Sequence, residues 1–274
     1  MSIITSAILP HSPLLIPEIG RSNTAFLAKT QEAFDDLSRK LKDGEVESVI
    51  IISQHGEAQA DSFIINVSPE MIIDFKDFGF IPPKTFLPGD AWLADSIKEH
   101  CRPDFPVQLI SEDWLDSGSS VPLYLLKKSC PGIKTLVIHP AQGLSAAEQF
   151  NFGKKLGELL KQTEKRLAVI ASGDLSHRLK KKSPGGYSPK GSRFDNKVIE
   201  FLSEGEKKAN EFLKIEERLA QEASECAFKP ISLLLGIMDG QNWQTEILAY
   251  QTDFGVGYLS AELIKEPINP SESL

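Results

Sequence analysis

Short β-branched runs that alternate with segments of helical period constrain this chain more than any other feature. IITSAIL (3–9), SVIIIS (48–53), KTLVI (134–138) and LAVIA (167–171) are too short for helices and apolar on both faces. That is the signature of strands buried in a parallel sheet. Between the first two, Ser22 can cap a helix whose Phe26, Ala33, Phe34, Leu37 and Leu41 form one apolar stripe. From about Ser145, residues Ala146, Phe150, Gly153, Leu156 and Leu160 form another. Further strands are expected at 62–67 and 106–110, and a short helix at 121–128. Pro88 stands where the first turn of a helix reaching His100 would begin. Residues 178–196, rich in Gly, Pro and Ser, read as a long loop, with helices following at 194–203, 206–223 and 230–238. The closing runs QTEILAYQ and GVGYLSAEL suggest a hairpin. The predicted fold is α/β: a single domain with a mostly parallel mixed central sheet, helices on both faces and an antiparallel C-terminal edge hairpin. It spans residues 1–266, with 267–274 (PINPSESL) as a flexible tail.

Four of the five histidines follow these strand-like runs. Carboxyl ends of strands in an open α/β sheet line one crevice, so His11, His55, His139 and His177 can converge. Pro10 and Pro13 hold the chain around His11 extended, and Gly56 lets the backbone turn sharply beside His55. Both positions suit a metal ligand, and both also suit a strand-end histidine bonded to backbone. Asp174 lies three residues before His177, close enough to orient it as a general base, and is equally a helix cap. His139 precedes Pro140 and reads as structural or as a fourth site group. Two imidazoles need an anionic partner, for which Glu57, Asp174, Glu225 and Cys226 are available. Glu225, at the start of an apolar helix, is the choice; Cys226 stays open. Two histidines and a carboxylate form the facial set of non-haem Fe(II) enzymes, and zinc accepts the same donors.

A net charge of −8 on 274 residues argues against binding nucleic acid, which calls for a basic face. Three cysteines without a C-x-x-C spacing suggest neither a disulfide framework nor a cysteine zinc site, and point to a cytoplasmic protein. No apolar stretch is long enough to cross a membrane. Tyr187, among Gly185, Gly186 and Gly191, is a candidate lid residue over a substrate.

PHSPLLIPEIG, SQHGE, LDSGSSVPLYLL, IASGDLSHRL, GYSPKGSRFD and FGVGYLSAEL, in this order, resemble the class III extradiol ring-cleavage dioxygenases of the protocatechuate 4,5-dioxygenase catalytic-subunit type, a superfamily that includes the Memo proteins. The resemblance implies Fe(II) held by His11, His55 and Glu225, with His177 as acid-base group. It implies a catechol-type aromatic substrate opened with O2, and assembly into homo-oligomers. The family usually reads LDHG where this chain has Leu115-Asp116-Ser117-Gly118, so Ser117 stands beside the expected substrate in place of a histidine. His139 is then expected to refill that space. The Memo-like alternative is a metal- or ligand-binding pocket without ring cleavage, and a zinc-dependent hydrolase is a third reading.

Overall fold

The computed structural model describes residues 2–266, without the side chains of 82–84; the tail expected at 267–274 lies outside the described residues. Ten strands are present among them: β1 (Ile3–Leu9), β2 (Ser48–Ser53), β3 (Phe63–Asn66), β4 (Glu70–Phe75), β5 (Phe80–Pro88), β6 (Val107–Ile110), β7 (Lys134–His139), β8 (Leu167–Ser172), β9 (Trp243–Gln251) and β10 (Tyr258–Lys265). The helices are α1 (Pro17–Gly20), α2 (Ala28–Asp43), α3 (Ala91–Cys101), α4 (Ser117–Leu126), α5 (Ala146–Gln162), α6 (Pro189–Ser203), α7 (Ala209–Phe212), α8 (Glu217–Ala223) and α9 (Phe228–Met238). Eight strands form one sheet in the order β6-β3-β7-β2-β8-β1-β10-β9. β7, β2, β8 and β1 are mutually parallel, and β10 joins β1 antiparallel, which puts the C-terminal hairpin at the edge as the sequence suggests. β3 runs antiparallel to β7 while β6 runs parallel to β3.

Alternation along the buried strands feeds two cores. Ile50, Ile52, Leu136, Ile138 and Val169 pack on one face with α5 and α9, while Val49, Ile51, Val137 and Ile170 pack on the other with α2 and α4. No helix among the described residues is long and apolar enough to cross a membrane.

Several boundaries differ from expectation for identifiable reasons. Ser22 is not the cap of α2: residues Arg21–Leu27 form a 3-10 turn first, and Phe26 is exposed. Pro88 ends β5, and α3 starts at Ala91 with Asp90 as its cap, accepting from the Leu93 N–H at 3.2 Å. α4 begins at Ser117 because Asp116 caps it, accepting from the Ser119 N–H at 3.0 Å. The long loop ends early, since Ser188 caps and Pro189 opens α6. The remainder is tied down: Leu179 N–H donates to the Gly255 carbonyl and Ser183 Oγ–H donates to the same oxygen at 2.7 Å. The helix expected at 206–223 is broken into a 3-10 turn, α7 and α8. A two-stranded sheet, β4 with β5, had no counterpart in the sequence reading.

Candidate metal centre

His11 leaves the end of β1, His55 follows β2 by two residues, and Cys226 lies in the turn just before α9. One ligand atom from each lies within 4.8 Å of the other two. The two imidazoles meet edge to face with centroids 4.7 Å apart, and the Cys226 Sγ is 3.4 Å from His11 Nε2.

Hydrogen bonds fix the tautomer of His11. Ser172 Oγ–H donates to the Gly118 carbonyl at 2.5 Å, so at 3.1 Å it can only accept from His11 Nδ1–H. That leaves the lone pair on Nε2, facing the thiol, as a metal ligand requires. His55 stands at the rim with part of its surface open. The protein packed around its ring, and then neighbouring His11, push its pKa below 6.5 and favour the neutral, ligating form. Gly118 gives this ring room, since a side chain there would press on Ser53 Oγ and the His55 Cδ2 edge.

Cys226 is buried, and burial followed by the carboxylates of Asp174 and Glu225 holds its thiol well above its ordinary pKa. An ion binding there must displace that proton. Its sulfur accepts from the Asp174 N–H at 3.2 Å.

Of the two neighbours the sequence reading offered, Glu225 as its choice and Cys226 left open, it is Cys226 whose ligand atom lies with those of both histidines. The Glu225 carboxylate accepts from the Ala227 and Phe228 N–H groups at 2.6 Å each, closing the start of α9. Burial pushes it up to about 7 against those two bonds.

Asp174 connects the ligand group to His177. Its Oδ1 accepts from the His11 N–H at 3.0 Å, and its Oδ2 lies 4.0 Å from His11 Nε2 and 3.7 Å from His177 Nε2. His177 Nδ1–H donates to the Ser224 carbonyl at 2.7 Å, leaving Nε2 free to take a proton beside Asp174. Ser224 has a left-handed backbone (φ 56°), which turns the chain between α8 and the Glu225-Cys226 pair. Tyr187 is exposed on the preceding loop, and Ser117 is half-buried at the first position of α4. His139 is not in the ligand group. Its Nδ1 bonds the Ser53 carbonyl at 2.7 Å, and its ring packs under Gly56, where a Cβ would overlap it.

Sequence reasoning missed Asp195, fully buried behind His177. Its carboxylate accepts from the Ser176 N–H at 2.9 Å and from the Tyr250 hydroxyl at 2.7 Å. Burial raises it to about 6 from an ordinary 3.8, against both hydrogen bonds. The folded state therefore holds this proton more tightly than the unfolded chain. Its stabilising effect is full below about pH 3.8 and is lost as pH rises through about 6. Asp195→Asn, which mimics the protonated acid, is expected to raise stability by roughly 3 kcal/mol at pH 7.5 and by only about 0.5 kcal/mol at pH 4. Urea melts at the two pH values check this, and an equal gain at both would refute the assignment.

The comparisons with known proteins agree with this arrangement at the level of family and fold. The family described as "Catalytic LigB subunit of aromatic ring-opening dioxygenase" matches residues 5–260. "Protein CA_C1420" of Clostridium acetobutylicum is 30% identical over 268 residues, covering 94% of this chain. This chain spans 57% of that relative's length. The crystal structure of the uncharacterized protein JW3007 from Escherichia coli K12 superposes with a TM-score of 0.65 at 20% identity, covering 95% of this chain and 100% of its own. From His11 at the end of the first strand to the edge hairpin, the chain belongs to the family of catalytic LigB subunits of aromatic ring-opening dioxygenases.

Proposed function

We propose that this chain is a metal-binding member of the family, its ion held by His11, His55 and Cys226, and that the ion is zinc or a similarly thiol-preferring metal rather than Fe(II). The observation that carries the reading is the Cys226 sulfur, which completes the histidine pair where the Fe(II) set has a carboxylate. Glu225 Oε2 is taken by two backbone N–H groups, and Asp174 Oδ1 by a third. Three protein donors, two imidazoles and a thiolate, match the zinc sites that keep a fourth position for water or substrate. When bound, such an ion supplies Lewis-acid polarisation of an oxygen ligand. The protein's part is separate: Ser172 fixes the His11 tautomer, and His177, anchored on Ser224, accepts a proton at Nε2 beside Asp174. On this reading the pocket is Memo-like, or hydrolytic.

The ring-opening reading keeps one observation of its own. The Asp174–His177 pair adjoins the ligand group, where an acid-base histidine for a catechol belongs. One experiment separates the two: metal-free protein is loaded anaerobically with Zn(II) or Fe(II), and affinity is measured for each before an oxygen-uptake screen with catechols. Tighter zinc binding and no oxygen uptake by the Fe(II) form are expected. Catechol-dependent uptake lost in His177→Ala would overturn the proposal in favour of the dioxygenase.

A further inference from the structure

A concavity of about 320 Å³ opens beside the metal ligands, where His139 ends β7 and Asn66 of the antiparallel β3 lies across from Val137. His139, Gly56, Glu57, Glu112, Trp114 and Asp116 line it. His139 is only 4% exposed. Its Nδ1 sits 2.7 Å from the Ser53 carbonyl and so carries the hydrogen, which leaves the Nε2 lone pair as an acceptor. That atom has no hydrogen-bond partner among the described residues, yet it belongs to a ring that faces the cavity. The residue is buried but this nitrogen is not sealed off, so a donor that enters the cavity can reach it.

The charge of the lining says which ligand. Glu57 and Glu112 carry carboxylates with no ion pair among the described residues. The Asp116 carboxylate is spent on Ser53 Oγ, Ser119 N–H and Ser119 Oγ. No described lining residue is Lys or Arg. Trp114 adds an aromatic wall that already holds a cation, the Lys76 ammonium, 5.3 Å from its ring centre, and that ammonium is paired with Asp74 at 3.1 Å. Asn66 makes the rim firm: its side chain accepts from the Glu112 N–H at 3.1 Å and donates to the Glu112 carbonyl at 2.8 Å.

We propose that this cavity binds a small organic ammonium with a flat apolar body, its N–H donors directed at His139 Nε2 and at the Glu57 and Glu112 carboxylates. The volume is at the lower end for small-molecule sites, which fits a single-ring ligand. An aromatic carboxylate is disfavoured there by two unpaired acids. The site does not depend on which ion the neighbouring ligands hold, or on whether they hold one.

The test uses three probes on one skeleton: benzylamine, benzyl alcohol and benzoate, titrated into the full chain by calorimetry with NMR line-shape analysis. Saturable binding of benzylamine is expected, with at least tenfold weaker binding of benzoate and the alcohol between them. His139→Asn keeps a donor toward Ser53 while removing the ring acceptor, and should weaken benzylamine several-fold. Glu57→Gln together with Glu112→Gln should weaken it at least tenfold and narrow the gap to benzyl alcohol. His11→Ala, which disables the metal ligands, should leave benzylamine binding unchanged. Absence of saturable benzylamine binding, equal affinity for benzoate, or indifference to the two glutamate changes would overturn the proposal.

Discussion

Cys226→Ala is expected to lower metal affinity by more than about 100-fold, because losing even a group that only orients a ligand costs about 10–100-fold. His11→Ala should fall equally far, since its Nε2 faces the Cys226 sulfur at 3.4 Å. Glu225→Gln is the informative partner. Its side-chain carbonyl still accepts from the Ala227 and Phe228 N–H groups, so the start of α9 keeps its hydrogen bonds and loses only a charge. Because burial holds this carboxyl up at about 7, losing its charge should cost no stability at neutral pH, and near-normal metal content is expected for it. Metal content after dialysis against a chelator, followed by competition titration, reads all three variants, with a thermal melt to confirm folding. If Glu225→Gln lost its ion while Cys226→Ala kept it, the carboxylate would be the true ligand and the thiol assignment would fail.

The contrast between these neighbours shows where sequence reading stops. His11, His55 and Asp174-His177 were legible because a strand's end fixes where the next side chain goes, and β1, β2 and β8 lie side by side in the sheet. Glu225 and Cys226 are adjacent in the chain, and no periodicity says which one turns inward. The left-handed residue at Ser224 and the N–H groups opening α9 decide it, and both are tertiary facts. His139 was recognised as a strand-end residue, but its cavity is made with residues 112–116, which follow a different strand. β4 and β5 form a two-stranded sheet of their own outside the eight-stranded one, and β4 alternates buried and partly exposed residues, so neither shows the fully buried apolar run that marks the central strands. Asp195 fell where the expected loop, 178–196, overlaps the expected helix, 194–203. The signal that α6 begins there, Ser188 before Pro189, was present but hidden among other turn residues.

Gly236→Ala should be strongly damaging, and it links the core to the metal ligands. α5 and α9 pack so closely that backbone meets backbone. A Cβ at Gly157 would lie 2.6 Å from the Ile237 carbonyl oxygen, one at Gly153 would overlap the Leu233 carbonyl, and one at Gly236 would overlap the Phe150 carbonyl. The obstacle in each case is main chain, so no side-chain rotation relieves it and the helices must part. A loss of about 3 kcal/mol is expected, the upper end for overpacking. In a domain of this size that lowers Tm by roughly 6–12 °C. Asn151→Ala, on the exposed face of α5, should stay within about 0.5 kcal/mol. Because Cys226 precedes α9 by two residues, displacing the helix also moves the thiol away from His11, so metal affinity should fall in protein that is still folded at 20–25 °C. Thermal melts with and without saturating metal measure both effects, since an ion that binds only the native state raises Tm according to its affinity. A Gly236→Ala protein with the melting point of wild type would mean that the two helices do not touch as described. One that melts early but gains the full metal-dependent rise would separate the packing of α9 from the placement of Cys226.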